Sequence, residues 1–226
     1  MKNIKAVFID YSGTLSQEMC KATMKFVDII SKNSRLNDPN TIIKYWWKSI
    51  TELENKSYRE NYLTQDEITD ISLKKMVEEF ELKTDLNILH ELCREYWAKA
   101  PLFDDVKPFF KECPYPIYII TNNSIQYVDV AIKDNELNPA GVICGDMVKA
   151  YKPSKEIFLK ALEVSNCSKE EVVHIGDSEK TDVLGARSVG ITPILLNRKS
   201  REVKTDVIVI KDLFEALEIL KNKVIN

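Results

Sequence analysis

Short, continuous apolar runs recur along the second half of the chain: Pro116 to Ile120 (PIYII), Gly141 to Cys144 (GVIC), Val172 to Ile175 (VVHI), Thr192 to Leu196 (TPILL) and Val207 to Ile210 (VIVI). A further run, Ala6 to Ile9 (AVFI), opens the chain. Runs that do not alternate with polar residues belong to strands buried on both faces, the form taken by parallel strands covered by helices. After about residue 100 each run is followed by a helical pattern. The succession predicts an α/β fold with a doubly wound, Rossmann-like parallel sheet.

Residues 16–100 behave differently. They contain no comparable strand, and their apolar positions fall at helical spacing, as in Met24, Val27 and Ile30 and in Leu86, Leu89, Leu92 and Tyr96. Asn37 to Pro39 and Ser57 to Thr64 concentrate Asn, Pro, Ser and Thr and read as internal turns. The expected organisation is an α/β core made of 1–15 and 101–226, with an all-helical cap domain, 16–100, inserted after the first strand. The chain should cross between the two near Ser16 and again near 100–104.

Composition narrows the setting. Hydrophobic residues at 44% and charged residues at 30% are ordinary for a globular chain, and 226 residues suffice to bury a core. The net charge of −3 provides no basic surplus for a phosphate backbone, which argues against nucleic acid as a partner. Cys20, Cys93, Cys113, Cys144 and Cys167 are odd in number, widely spaced and lack a Cys-x-x-Cys pair, so reduced thiols are expected rather than a disulfide framework or a zinc site. No apolar stretch approaches the length of a membrane span or a signal peptide; no membrane partner is expected, and a cytoplasmic location is the default.

The polar residues at the strand ends carry the candidate chemistry. In an open parallel sheet ligands bind beyond the carboxyl ends of the strands. Asp10 stands there, followed by Ser12, Gly13 and Thr14; Gly13 permits a tight turn and Thr14 is suited to holding the loop by a local hydrogen bond. Thr121 and Asn122 close the next strand with a hydroxyl and an amide suited to phosphate, with Asn123 and Ser124 behind them. Lys152 precedes Pro153, a suitable first helical residue, and can neutralise phosphate or carboxylate charge. Asp177 and Asp182 straddle a strand-to-helix turn after Gly176. Each element alone is common loop chemistry. Together, three acids converging on one crevice require a cation, and an all-oxygen set suits Mg²⁺.

The order Asp10, Thr121, Lys152, Asp177 with Asp182, each at a different strand tip, resembles the four motifs of the haloacid dehalogenase superfamily. The resemblance extends to Gly185-Ala186-Arg187 and Gly190-Ile191, where Gly185 would allow close helix packing and Gly190 would close a helix. It implies that Asp10 is a nucleophile forming an aspartyl-phosphate, that Thr121 and Asn122 bind phosphate, and that Lys152 neutralises charge. It further implies that Asp10, the Ser12 carbonyl and Asp177 ligate Mg²⁺, with Asp182 holding a metal-bound water or orienting Lys152. The helical insertion resembles a cap that closes over a small phosphorylated metabolite and excludes water.

One position departs from that pattern. Phosphatases of the superfamily carry a second Asp two residues after the nucleophile, as acid and then base, where this chain has Ser12. Losing a positioned acid costs about 10² to 10⁴ in rate and falls hardest on poor leaving groups. The expected enzyme is therefore a phosphatase favouring groups that leave without a proton. Ser12 also admits three alternatives: a phosphonoacetaldehyde hydrolase with a cap lysine (Lys44, Lys48 or Lys56), a haloacid dehalogenase, or a catalytically weakened regulatory protein. Trp46, Trp47, Trp97 and His174 read as packing, and His90 as part of its helix surface or interface.

Overall fold

A computed structural model describes residues 3–203 and 205–224. The chain begins with β1 (Ala6–Ile9) and continues through four helices, α1 (Lys21–Asn33), α2 (Pro39–Lys56), α3 (Gln65–Phe80) and α4 (Leu86–Lys99). It then alternates: α5 (Val106–Glu112), β2 (Ile117–Thr121), α6 (Ile125–Asp134), β3 (Gly141–Cys144), α7 (Gly145–Val148), α8 (Lys155–Ser165) and β4 (Val172–Gly176). A wide π-type turn at Glu179–Val183 leads into α9 (Leu184–Ser188), β5 (Thr192–Leu196), β6 (Ile208–Ile210) and α10 (Leu213–Val224).

All six strands are parallel, in the order β3-β2-β1-β4-β5-β6. The chain winds outward from β1 to one side through β2 and β3, then returns to the other side of β1 as β4. The switch point of the sheet therefore lies between β1 and β4, where a crevice opens beyond the strand ends. Phe8 pairs with Tyr118 on one side and His174 on the other, a register that sets the ends of β1 and β4 side by side. Val7 and Ile9 pack on one face with Phe109, Val128 and Leu217. Phe8 and Ile120 pack on the other with Ile157, Phe158 and Ala186.

The helical block has its own apolar interior, built by Phe26, Ile30, Ile42, Leu73, Met76 and Leu89. Its helices start where side chains satisfy free backbone N–H groups. Asp38 caps α2 with Pro39 as the first helical residue, Thr64 and Glu67 form a reciprocal box at α3, and Asp85 caps α4. The two crossings lie against each other: Ser16 bridges Leu102, and the Gln17 N–H donates to the Pro101 carbonyl (2.9 Å). The tip of the block touches the core, where Tyr58 bridges Ala150 and the Tyr151 hydroxyl donates to the Leu63 carbonyl (2.8 Å).

Several expectations need correcting. Strand β2 runs one residue later than predicted, and β6 begins at Ile208. Met24 faces solvent, because α1 turns Ala22, Phe26, Val27 and Ile30 inward. Pro153 does not open a helix: α8 starts at Lys155, and a turn closed by the Ser154 N–H on the Tyr151 carbonyl (2.9 Å) holds the preceding segment, with a cis Lys152–Pro153 bond. The glycines behave as predicted. Gly190, at φ +81°, follows the C-cap of α9, and Gly185 packs against the Phe158 ring.

A Cβ at Gly185 would lie 2.4 Å from a ring carbon of Phe158, which is fully buried. Gly185→Ala is expected to destabilise the core by about 1–3 kcal/mol, the usual cost of overpacking. Thermal unfolding should show this as a Tm lowered by roughly 2–12 °C; an unchanged Tm would show that the ring gives way freely.

Candidate active site

The site grows from the end of β1. The Asp10 N–H donates to the Ile175 carbonyl (2.9 Å), which fixes the residue against β4. The following turn needs Gly13, whose φ is +81° and whose missing Cβ leaves room for the Asp177 carboxylate: an added Cβ would lie 2.7 Å from Asp177 Oδ2. Asp177, one residue past β4, is thereby brought over the turn that Asp10 begins. Gly176 does the same for Asp182, since a Cβ there would lie 2.3 Å from its Cγ.

Lys152 ties the acids together. Its Nζ donates to Asp10 Oδ1 (2.5 Å) and to Asp182 Oδ1 (2.7 Å), and all three side chains are buried. His174 Nε2 lies 2.9 Å from Asp182 Oδ1, and the Ser178 N–H donates to Asp182 Oδ2 (3.1 Å). Burial keeps the His174 imidazole below its usual range, so the ring is neutral and its Nε2 hydrogen is assigned to the carboxylate bond. His174 is thus structural, as its strand parity predicts.

The electrostatics are uneven. Burial opposes ionisation of Asp182, but Lys152 and His174 outweigh it and hold the carboxyl well below the usual range. Burial pushes Asp10 up to about 6, Lys152 pulling against it and Asp182 adding to it. Asp177 lies well above the usual carboxylate range, through burial and then the charges of Asp10 and Asp182. Oxygens of Asp10, Asp177 and Asp182 lie within 4.8 Å of one another, and Asp10 Oδ2 is buried without a hydrogen-bond partner. A cluster with one lysine for three acids and an unpartnered carboxylate oxygen fits a hard divalent cation.

The residues from β2 divide their work differently from the expectation. Thr121 is buried at the strand end, and its Oγ1 accepts from the Asn123 N–H (3.0 Å). Asn122 grips the lysine segment: its Oδ1 accepts from the Lys152 N–H (2.7 Å) and its Nδ2 donates to the Lys152 carbonyl (3.4 Å). Asn122 thus positions the lysine segment while it also lines the cavity. Asn123 donates to the Ser12 Oγ (3.1 Å), and the Ser124 hydroxyl donates to Asp146 (2.7 Å).

Thr14 also departs from expectation. Its Oγ1 lies near the Asp10 carboxylate without a formed hydrogen bond, and the loop is held instead through its carbonyl. Arg198 donates to that oxygen through Nη2 (2.8 Å) and Nε (3.1 Å) while binding Asp105 with both Nη atoms. Sequence reading missed Arg198 because it follows β5, remote in sequence from every motif. It also missed Gln65 at the start of α3, whose Oε1 accepts from the Ser124 N–H (2.7 Å) and so joins the helical block to the β2 loop.

The helical block roofs the crevice, enclosing a cavity of about 780 Å³ with Asp10, Ser12 and Asp177 at its floor. Trp46, Trp47 and Trp97 line it as well as pack, whereas Lys44, Lys48 and Lys56 point outward from α2 and are exposed. The Schiff-base lysine of the phosphonoacetaldehyde alternative is therefore not supplied by any of these three. The inner face of α2 carries Ile43, Trp46, Ile50 and Glu54, and the three lysines fall on the other side of that helical phase. His90 is buried on α4 between Asp66 (2.8 Å) and Asp70 (2.7 Å), where Asp66 also binds Tyr127 of α6.

A parallel sheet with acids and a lysine converging at its switch point, roofed by inserted helices, defines a hydrolase of the haloacid dehalogenase type. The chain belongs to the haloacid dehalogenase-like hydrolase family, whose model matches residues 4–190. It is 26% identical over 202 residues to the pyrimidine 5′-nucleotidase YjjG of Escherichia coli, covering 88% of this chain and 80% of that one. It is 34% identical over 87 residues to glyceraldehyde 3-phosphate phosphatase of Methanothermobacter thermautotrophicus, covering 35% of this chain and only 38% of that protein. Its fold is similar to that of L-2-haloacid dehalogenase from Xanthobacter autotrophicus, with a TM-score of 0.80 at 18% identity over 96% of this chain and 98% of the other. Among the described residues no helix is long and apolar enough to cross a membrane, and all five cysteines are free.

Proposed function

We propose that the protein is a Mg²⁺-dependent phosphohydrolase acting on a small phosphorylated metabolite through an aspartyl-phosphate on Asp10. The observation that carries this reading is the cluster of Asp10, Asp177 and Asp182 with its unpartnered Asp10 oxygen. Asp10, Asp177 and the Ser12 carbonyl would hold Mg²⁺, which would lower the charge repulsion between the carboxylates and an incoming phosphate. Lys152 keeps Asp10 oriented and offers positive charge to the phosphoryl oxygens. Asp182, held by His174 and the Ser178 N–H, keeps that lysine in place, and Thr121 at the end of β2 stands ready to bind a phosphoryl oxygen. Two relatives, a phosphatase and a nucleotidase, support the phosphate reading.

Purified protein should release phosphate from acetyl phosphate and p-nitrophenyl phosphate with Mg²⁺ and lose that activity in EDTA. Release that persists in EDTA counts against the metal. Binding has a readout of its own. Asp10 and Asp177 take up protons on folding, so the metal-free fold loses stability as pH rises through about 6, the folded value for Asp10. A cation competes with those protons. Mg²⁺ should therefore raise the Tm more at about pH 7.5 than at about pH 5; equal shifts would place the ion elsewhere.

Ser12 favours a second reading, halide displacement by Asp10, which needs no acid for the leaving group. Its signature is chloride release from 2-chloropropionate without metal.

A further inference from the structure

The cavity is divided by chemistry. The cations that line it, among them Lys152, Lys180, Arg198 and Lys199, all come from the core side. The helical side presents Phe26, Ile43, Trp46, Trp47, Ile50 and Trp97, interrupted by Thr23, Thr51, Glu54 and Gln65, and no Lys, Arg or His of residues 21–99 lines it. A phosphate end thus finds positive charge at the floor, while the rest of the substrate meets a wide aromatic wall. A second anionic group would find no counter-ion on that wall and would face the Glu54 carboxyl, which burial pushes up to about 7 against the opposing pull of Asn122 and Lys152. Cavities of this volume commonly enclose a small ligand almost completely.

Where the aromatic wall meets the floor stands Tyr96 of α4. It is 5% exposed, and its hydroxyl has no hydrogen-bond partner. That hydroxyl lies beside Ser12 and near Asp10, where it can donate into the crevice. Buried hydroxyls are rarely left unpaired. A substrate oxygen bridging phosphorus and an apolar group would occupy this junction.

We propose, resting on the phosphatase reading above, that the site takes a phosphate monoester whose leaving group is uncharged and aromatic, its bridging oxygen met by the Tyr96 hydroxyl and its ring laid on the aromatic wall. A carboxylate oxygen of Asp10 forms the bond to phosphorus as the bond from phosphorus to the bridging oxygen breaks. The electron pair stays on that oxygen as an aryloxide, hydrogen-bonded by Tyr96, which takes a proton from water on release. Water then cleaves the acyl phosphate, returning Asp10 and inorganic phosphate. An aryloxide leaves without a protein acid, consistent with Ser12 in place of the second Asp.

The test compares kcat/KM of the wild-type protein with Mg²⁺ for phenyl, 2-naphthyl and 4-carboxyphenyl phosphate, glucose 6-phosphate, and acetyl phosphate as a check on the chemistry alone. The 2-naphthyl ester should exceed the phenyl ester, and the carboxyphenyl ester and glucose 6-phosphate should each fall about 10-fold or more below it. Glucose 6-phosphate or the carboxyphenyl ester turned over as well as the naphthyl ester, with acetyl phosphate hydrolysed, overturns the substrate class and leaves the phosphatase reading standing. No hydrolysis of acetyl phosphate overturns both. Tyr96→Phe should lower kcat for phenyl phosphate about 10-fold and for acetyl phosphate much less; equal losses on both overturn the role of the hydroxyl. The three tryptophans of the chain all line the cavity, so p-nitrophenol should quench their fluorescence saturably in the metal-free protein where glucose does not. Absence of saturable quenching also counts against the aromatic site.

Discussion

Asp10→Asn is expected to lower phosphate release by about 10⁴-fold or more, the scale of loss when a covalent nucleophile is removed. The amide matches the carboxylate in shape and still accepts from Lys152 Nζ, but it does not form an acyl phosphate. The same substitution should not lower the Tm of the metal-free protein at neutral pH. Asp10 carries a raised pKa of about 6 because its charge is buried beside that of Asp182, so ionising it weakens the fold, and the neutral amide removes that cost. Lys152 retains Asp182 at 2.7 Å. Activity assays and thermal scans on one preparation check both halves. An Asn variant with activity near wild type would falsify the covalent mechanism, and a large fall in Tm would show that the Asp10 charge holds the fold together.

Lys152→Met is expected to act in the opposite way on stability. It removes the cation that serves two buried carboxylates, and stranding buried charge costs about 3–5 kcal/mol, or roughly 6–20 °C in Tm for a chain of this size. The loss depends on pH. In the wild-type protein Lys152 and His174 keep Asp182 below the usual carboxylate range, so the stability it contributes persists at neutral pH and is lost only as pH falls. Without Lys152 the carboxyl of Asp182 rises above its unfolded value and that of Asp10 rises further above its own, and the variant is then most stable when both are protonated. The gap in Tm between wild type and variant should therefore widen from about pH 5 to about pH 7.5. Thermal scans at the two pH values check this; a gap independent of pH would mean that the methionine packs as well as the lysine and that the charges are solvated. Activity should be lost as well, since the lysine orients the nucleophile.

The two variants separate the two tasks of the buried triad. On the proposed mechanism Asp10 serves chemistry at a cost in stability, while Lys152, held in place by Asp182, supplies the positive charge that favours its ionised form. Local rules were broken here in favour of function, and the neighbouring glycines show how the backbone makes room. Gly13 and Gly176 are required because the carboxylates of Asp177 and Asp182 occupy the space that their side chains would fill.

Much of this was legible in the sequence because it depends on short-range rules. Continuous apolar runs mark strands covered on both faces, and in a parallel sheet every strand ends at the same edge. Asp10, Thr121, Lys152, Asp177 and Asp182 could therefore be assigned to one crevice from their positions after successive runs. What escaped were partnerships set by side-chain direction. Asn122 follows Thr121 and reads as a phosphate ligand, and its grip on the Lys152 backbone was not foreseen. Arg198 reaches the Thr14 carbonyl from a loop after β5, and no periodicity announces it.

By itself, then, the sequence determined the α/β class, the helical insertion and the acids, lysine and threonine of the crevice, because burial pattern and strand polarity act along the chain. The tertiary structure alone decided which face of α2 and α4 meets that crevice. It turned Lys44, Lys48 and Lys56 outward and Trp46, Glu54 and Tyr96 inward, since the phase of an inserted helix is fixed by the neighbours it packs against and not by its own repeat.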